Sequence, residues 1–293
     1  MYPKVSIIIL NWNGQEDTIE CLESLKHITY PNYEIIIVDN GSTDGSVECF
    51  RKLHPAIKII ENGKNLGFAE GNNIGIEYTL KSHCDYVLLL NNDTTVSPDF
   101  LDKMIPVIEL NQNIGIVGPK IMNYFNPKIA QSYGVKVNLW TVSSHNIQLN
   151  DIKCDIKYLN VDYVQGCAIL IKRDVIDRIG LLDKKYFLYG EEKDLCFRAR
   201  ESGFDVACVP SATIWHKESV SSKKVSGLKI YFMERNRFLF ISKFGSLQQK
   251  LFFMVFTIFR IPIQLYISVI SKRDLKSFYC YLKSLVDGFK YII

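Results

Sequence analysis

Short runs of consecutive apolar residues, each followed by a stretch with helical spacing, constrain this chain most. The runs are 5–10 (VSIIIL), 34–38 (EIIIV), 57–60 (IKII), 86–90 (YVLLL) and 114–117 (IGIV). A strand wetted on one face alternates polar and apolar residues; a continuous apolar run is covered on both faces. Helical spacing fills 18–26, 46–53, 68–80 and 98–110 between them. Strands alternating with helices of this length predict an α/β fold with a mostly parallel central sheet. After Gly118 the pattern becomes less regular up to about Asp162. A further strand is expected at 168–171, a short helix at 175–179, and a second helix starting near Glu192. No repeat recurs at a fixed period.

The polar residues cluster at the carboxyl ends of these strands, where open α/β sheets bind ligands. The first run ends in Asn11-Trp12-Asn13-Gly14, the second in Asp39-Asn40-Gly41-Ser42, the fourth in Asn91-Asn92-Asp93. Any one of these is ordinary turn chemistry; three on one rim point to a site. No G-x-G-x-x-G follows the first strand and no G-x-x-x-x-G-K-[ST] occurs, so the usual glycine-rich phosphate cradles are absent. A diphosphate held here needs another positive charge, and a Mg²⁺ or Mn²⁺ ion on a carboxylate such as Asp93 supplies it.

At 293 residues, 47% apolar and 23% charged, the chain is globular and not disordered. Its charge is uneven. Up to His216 there are 21 Lys/Arg against 27 Asp/Glu, net −6; from Lys217 on there are 14 against 4, net +10. An acidic body with a basic, apolar tail points to anionic material at the tail. None of the eight cysteines, Cys154 among them, forms a C-x-x-C pair, and several lie in apolar runs, which fits a reduced compartment. The first ten residues read as a strand and not as a signal peptide.

Taken in order, VSIIILNWNG (5–14), IIIVDNGSTDGS (35–46), NLGFAEGNNIG (65–75), YVLLLNNDTTV (86–96), GCAILIKRDVIDRIGLLDKKYFLYGEEKDLCFRAR (166–200) and IWH (214–216) resemble the family-2 inverting glycosyltransferases. Within that family the chain is most similar to rhamnosyltransferase-like enzymes of bacterial surface polysaccharides. The resemblance implies a GT-A type nucleotide-sugar-binding domain over 1–225, with a donor half (1–118) and an acceptor half (119–225). A helical C-terminal extension follows over 226–293. It implies transfer of a rhamnose-like sugar from a dTDP- or UDP-linked donor to a saccharide or lipid-linked acceptor, with no nucleic-acid partner.

By the same resemblance Trp12 lies against the nucleobase and Asp39 accepts a hydrogen bond from the base. Asn65 and Asn73 bound the loop lining the nucleoside. Asn91, Asn92 and Asp93 occupy the D-x-D position, where Asp93 ligates the metal and His216 completes its shell. The alternative for His216 is a structural role at a strand end. In Gly190-Glu191-Glu192-Lys193-Asp194 the second acid, Glu192, is the general base, with Glu191 and Asp183 on the acceptor side. Here the family's aspartate is replaced by Glu192, one methylene longer. The alternative for these acids is a helix N-terminus, where the macrodipole favours them and Asp194 pairs with Arg198. For Asp183 the alternative is a turn. Two rivals remain from other classes: a sugar-nucleotide nucleotidyltransferase, and a non-catalytic binding relative.

The stretch 251–271 (LFFMVFTIFRIPIQLYISVIS) is long enough to span a bilayer. Arg260 at its centre, Pro262 and Gln264 argue against a span. A basic collar of Lys243, Lys250, Lys272, Arg273, Lys276, Lys283 and Lys290 fits helices lying in the headgroup layer of an anionic leaflet. The expectation is a cytoplasmic protein peripheral on the inner membrane face, with a packed helical tail or a homodimer through the tail, or a true span, as the alternatives.

Overall fold

The computed structural model describes residues 2–148, 156–217, 226–271 and 273–292; Cys154, Lys272 and residue 225 lie outside them. The chain opens with β1 (Val5–Asn11), α1 (Gln15–Leu25), β2 (Tyr33–Asp39), α2 (Ser46–Leu53), β3 (Lys58–Glu61), α3 (Gly67–Lys81) and β4 (Tyr86–Asn91). Then come β5 (Thr94–Val96), α4 (Phe100–Leu110), β6 (Ile114–Asn123), β7 (Ala130–Ser132), β8 (Val135–Asn138), β9 (Ser143–Asn146), β10 (Leu159–Asn160) and β11 (Ala168–Lys172). The body closes with α5 (Arg173–Ile179), α6 (Glu191–Glu201) and β12 (Asp205–His216), and the tail holds α7 (Ser226–Phe244), α8 (Leu247–Leu265) and α9 (Leu275–Phe289).

The main sheet has the order β10-β12-β6-β11-β4-β1-β2-β3, with β5 paired to β12 and β7 to β6. Strands β3, β2, β1 and β4 run parallel, as do β6 and β12; β11 runs antiparallel between β4 and β6. The sheet is therefore mostly parallel along its length, as the apolar runs require. Val5, Ile7, Ile8 and Ile9 of β1 are fully buried, and so are Val87 and Leu88 of β4. Each such side chain is worth roughly 1.5–3 kcal/mol of burial.

α3 lies close on this sheet because it has glycines on its inner face. A Cβ at Gly71 would sit 2.7 Å from Leu10 Cδ1, and one at Gly75 2.6 Å from Ile8 Cγ2. That close approach carries the Asn-rich start of α3 to the carboxyl ends of β1 and β2.

The irregular region after Gly118 holds elements the sequence pattern did not reveal. β6 runs on to Asn123, β7 to β10 are short, and β12 is a twelve-residue strand. β12 is hard to read because it changes neighbours. Its register against β6 shifts between Val209 and Thr213, around Pro210; Ala207 and Cys208 pair with β10, whereas Ile214 to His216 pair with β5. A proline in a strand belongs at such an irregularity.

The described chain divides into two compact units. One comprises 2–136, 146–148, 156–184 and 191–217; the other comprises Val137–His145, Lys185–Gly190 and the described tail from 226 on. Two segments expected in the acceptor half thus group with the tail. Within the tail unit Phe238 is the centre: its ring lies 5.0 Å from Phe253 and 4.9 Å from Phe289. Ser246 starts α8 with a reciprocal capping box to Gln249. Pro262 stays inside α8 without ending it, and a wider helical turn, Tyr266–Ser271, follows.

Candidate active site

The carboxyl ends of β1 and β2 are tied together by side chains. Asn11 and Asp39 are register partners, and Asn11 Nδ2 donates to Asp39 Oδ1 at 2.9 Å. Asp39 Oδ2 accepts from the amides of Gly41 (3.1 Å) and Ser42 (2.9 Å). Asp39 is thus a buried brace of the rim as well as the expected base-reading carboxylate. Ser42 Oγ accepts from Asn11 Nδ2 and from the amide of Asn13, while Asn13 Oδ1 accepts from the amide of Thr43. Asn13 sits at φ 50°, a conformation asparagine tolerates. This leaves Trp12 between two anchored residues and 48% exposed, a flat face available for stacking.

Asn65 belongs to the same rim. Its Oδ1 accepts from Asn40 Nδ2 (3.1 Å) and from the amide of Gly67 (2.9 Å), so it ties the loop after β2 to the first residue of α3. Asn73 acts differently. Its Nδ2 donates to the Leu182 carbonyl at 2.9 Å, and its Oδ1 accepts from the Leu182 amide at 3.0 Å. Asn73 therefore pins the segment carrying Asp183, which is half-buried. Asn92 also turns inward: its Nδ2 donates to Thr18 Oγ1 at 3.0 Å, and a Cβ at Gly14 would strike it at 2.4 Å. Of the three residues at the D-x-D position, Asn92 serves the β1–α1 junction.

Asp93 and His216 are far apart in sequence, and the β5–β12 ladder brings them together. His216 pairs with Thr94 in that ladder, and the amide of Lys217 donates to the Asp93 carbonyl at 3.1 Å. His216 Nε2 lies 3.3 Å from Asp93 Oδ1, both side chains being largely buried. Neither ring nitrogen of His216 has a hydrogen-bond partner. A buried imidazole left without partners beside a carboxylate fits a two-ligand metal position. Among the described residues no group of three or more His, Cys, Asp or Glu converges, so diphosphate oxygens and water would fill the remaining positions.

Next along the chain, Lys217 Nζ donates to Asp17 Oδ1 and Glu20 Oε2, each at 2.6 Å. Burial works against its charge, but these two carboxylates prevail and hold its ammonium above the ordinary lysine value. The cluster fastens the end of β12 to α1. No local pattern reveals it, because its members are about 200 residues apart.

Glu191 and Glu192 open α6, but their environments differ. Glu191 is 4% exposed, and its Oε2 has no hydrogen-bond partner. Burial, and then the neighbouring Glu192 charge, push its carboxyl well above the usual carboxylate range. Glu192 is only partly buried and lies beside Gly166, where a Cβ would sit 3.6 Å from its own. The next residue, Cys167, accepts the Asn91 amide at 2.9 Å. Burial first, then the charges of Asp93 and Glu192, push the Cys167 thiol up. Asp194 is fully buried and paired with Arg198 at 2.7 Å, while Arg198 also donates to the carbonyls of Ile179 and Leu181. Asp194 is thus structural, as the helix-terminus reading has it.

The backbone entering α6 is unusual. Phe187 (φ 57°), Tyr189 (φ 69°) and Gly190 (φ 95°) are all left-handed. For the two aromatic residues this costs roughly 1–2 kcal/mol each. A cleft of about 730 Å³ at the opposite, amino ends of β1 and β4, lined by Tyr2, Lys4, Asp85 and Arg173, gathers none of these groups.

A family model described as Glycosyl transferase family 2 matches residues 6–180. The low-salt glycan biosynthesis hexosyltransferase of Haloferax volcanii is 27% identical over 82% of this chain and 76% of its own length. The N-acetylglucosaminyl-diphospho-decaprenol L-rhamnosyltransferase of Mycobacterium tuberculosis is 22% identical over 75% of this chain and 78% of its own. Among solved structures, the mannosyltransferase of Pyrobaculum calidifontis with GDP-mannose and Mn²⁺ superposes with a TM-score of 0.63. That match has 13% identity and covers 99% of this chain and 88% of that one.

The burial of Glu191 has a measurable consequence. From about pH 4.5, the ordinary glutamate value, the native protein keeps a proton that the unfolded chain releases. Stability therefore falls as pH rises, until the native carboxyl ionises. E191Q has nothing to release, so denaturant titrations should show the variant gaining on the parent steadily from pH 4.5 upward. Parallel stability curves would refute the upward shift of the Glu191 carboxyl.

Proposed function

The chain belongs to glycosyl transferase family 2, and from that premise we propose that it moves a rhamnose-like sugar from a dTDP- or UDP-linked donor to a hydroxyl of a saccharide or lipid-linked acceptor, with inversion. The nucleotidyltransferase alternative falls with the family assignment. The observation that carries the reading is the arrangement around Cys167. Its carbonyl accepts the amide of Asn91, two residues before Asp93 with its neighbour His216, and Gly166 before it lies beside Glu192, so diphosphate-side and acceptor-side groups adjoin at the carboxyl ends of the strands.

In this reading Trp12 stacks on the base and Asp39 reads its edge. Asp93 and His216 would hold a Mg²⁺ or Mn²⁺ ion, which when bound neutralises charge on the leaving diphosphate. Glu192 accepts the proton of the acceptor hydroxyl as its oxygen bonds to the anomeric carbon. The bond from that carbon to the diphosphate oxygen breaks on the opposite face. One displacement inverts the centre, and no covalent sugar–enzyme intermediate forms. Glu191 is sealed from the open side by burial, whereas Glu192 is only partly buried, which favours Glu192 as the acceptor. Asp183, on a segment pinned by Asn73, orients the acceptor. The name of the M. tuberculosis relative favours rhamnose.

The tail supports placement on a membrane. α8 is inverted in polarity for a water-facing helix. Leu251, Val255, Ile258, Phe259, Ile263 and Tyr266 face out, whereas Thr257 and Ser268 are buried and Gln264 donates to Ser268. The Arg260 charge is also turned inward, where both terminal nitrogens bond Glu234 at 2.9 and 3.1 Å. Helices that face water show the reverse pattern. Leu247–Ile270 is the one stretch among the described residues long and apolar enough to cross a bilayer. We place it in the headgroup layer of an anionic leaflet at the cytoplasmic face, because Lys250 lies near its start and Arg273, Lys276 and Lys283 follow it.

Three experiments test the reading. With dTDP-rhamnose, UDP-galactofuranose and UDP-glucose as candidate donors, Glu192→Gln should lower nucleotide release by about 10²–10⁴-fold while donor binding persists. Activity within a few-fold of the parent sinks the assignment. Calorimetry with Mn²⁺ should find that Asp93→Ala weakens nucleoside diphosphate binding far more than nucleoside binding; full activity in excess EDTA contradicts the metal. The protein should float with vesicles of mixed zwitterionic and anionic phospholipid, partly released by salt, and I258E/F259E should not. Equal flotation of that variant, or a dimer that buries this face, overturns the membrane placement.

A further inference from the structure

Arg235 and Asn236 of α7 direct their hydrogen bonds at one short stretch of backbone. Asn236 Nδ2 donates to the carbonyls of Tyr186 (3.1 Å), Leu188 (2.9 Å) and Tyr189 (2.6 Å). Arg235 Nη2 donates to the carbonyls of Lys185 (2.6 Å) and Tyr186 (3.0 Å). Arg235 Nε and Nη2 also donate to Asn236 Oδ1, at 2.9 and 2.6 Å. That last pair occupies the amide oxygen of Asn236 and so fixes its NH₂ group toward the loop. Asn236 is 3% exposed, so no solvent competes with this arrangement.

Rings complete the grip on the same segment. Phe187 stacks on Phe232 with centroids 5.1 Å apart, and Lys243 and Lys229 lie over the rings of Tyr186 and Tyr189. Phe187 and Tyr189 hold left-handed conformations that side-chain-bearing residues leave unless something constrains them. The segment ends at Gly190, and the next two residues are Glu191 and Glu192.

We infer that Arg235 and Asn236 are positioning residues for the proton-accepting carboxylate: they clamp the strained backbone 185–190 and so fix where α6, and with it Glu192, begins. This rests on the reading of Glu192 as the general base. A base must come within about 2.6–3.2 Å of the proton it takes. A displacement of about 1 Å is enough to cost about 10²-fold in rate.

The test is Asn236→Asp in the full-length protein. Aspartate keeps the shape and the contact with Arg235 but sets an oxygen against three carbonyls. At saturating donor and acceptor kcat should fall by about 30–100-fold, with donor KM and the nucleoside diphosphate Kd within about two-fold of the parent. Amide hydrogen exchange over 186–192 should accelerate. Met233→Ala, an exposed neighbour on α7, should change neither. If N236D does not fold, Phe232→Leu, which removes the stack on Phe187, is read the same way. A folded variant with kcat within about three-fold of the parent overturns the inference even if exchange accelerates. So does an equal loss in Met233→Ala, which would mean general softening of α7. If the parent releases no nucleotide from any donor, the transferase reading fails. Hydrogen exchange then still decides the clamp: unchanged protection over 186–192 overturns it.

Discussion

β1 is the strand on which the catalytic unit is organised. It lies inside the sheet with parallel partners on both sides, and its side chains from Val5 to Ile9 are sealed from water on both faces. A central parallel strand cannot slip by one residue without exchanging its faces, so its register is firmly set. That register puts Asn11 opposite Asp39 and Leu10 opposite Asn91. The polar residues after each strand therefore emerge at one level. Asn11, Ser42 and Asp39 lock the rim there, and Asn92 and Thr18 extend the network to α1. A buried amide–carboxylate network of this kind is costly to leave unsatisfied, so it fixes geometry as well as adding stability.

Antiparallel additions to that parallel core bring in the rest of the site. β11 sits beside β4 and sets Cys167 next to Asn91, and with it the Gly166 position against which Glu192 lies. β12 breaks its ladder around Pro210 and turns its last three residues to β5, which sets His216 beside Asp93. Main-chain hydrogen bonds here act at a distance in sequence that no local motif spans. Burial then separates two adjacent acids. Glu191 is sealed off and its carboxyl held above the usual range, while Glu192 is only partly buried, a difference made by environment alone.

The tail unit follows a different rule. Its few carboxylates are used internally: Glu234 is shared by Arg237 and Arg260, and Asp287 accepts from Tyr231. Burial raises the Glu234 carboxyl, with Arg260 opposing it. A carboxylate buried between two guanidinium groups adds little net stability over an apolar replacement, but it dictates which face of α8 turns inward. The outward face is left apolar as a result.

The sequence by itself determined the α/β class, the strands up to Ile114 and the level at which the polar loops emerge. Continuous apolar runs and helical spacing are local signals, and burial on both faces reads directly from them. It also carried the ordered motifs of the family, hence Trp12, Asp39, Asp93 and the acid pair at 191–192, together with the basic, apolar character of the tail. Only the tertiary structure decided what each polar residue is used for. Asn92 and Asn73 have a site-like spacing, but their amides are spent on Thr18 and Leu182, because the nearest buried donors and acceptors lie on other elements. The inward turn of Arg260 depends on Glu234, 26 residues away on another helix. The link from Lys217 to Asp17, and the hold of Asn236 on the loop before α6, join residues whose separation no periodicity encodes. A hydrogen bond is satisfied by whichever partner the fold brings within about 3 Å, and that choice is made only when the chain is packed.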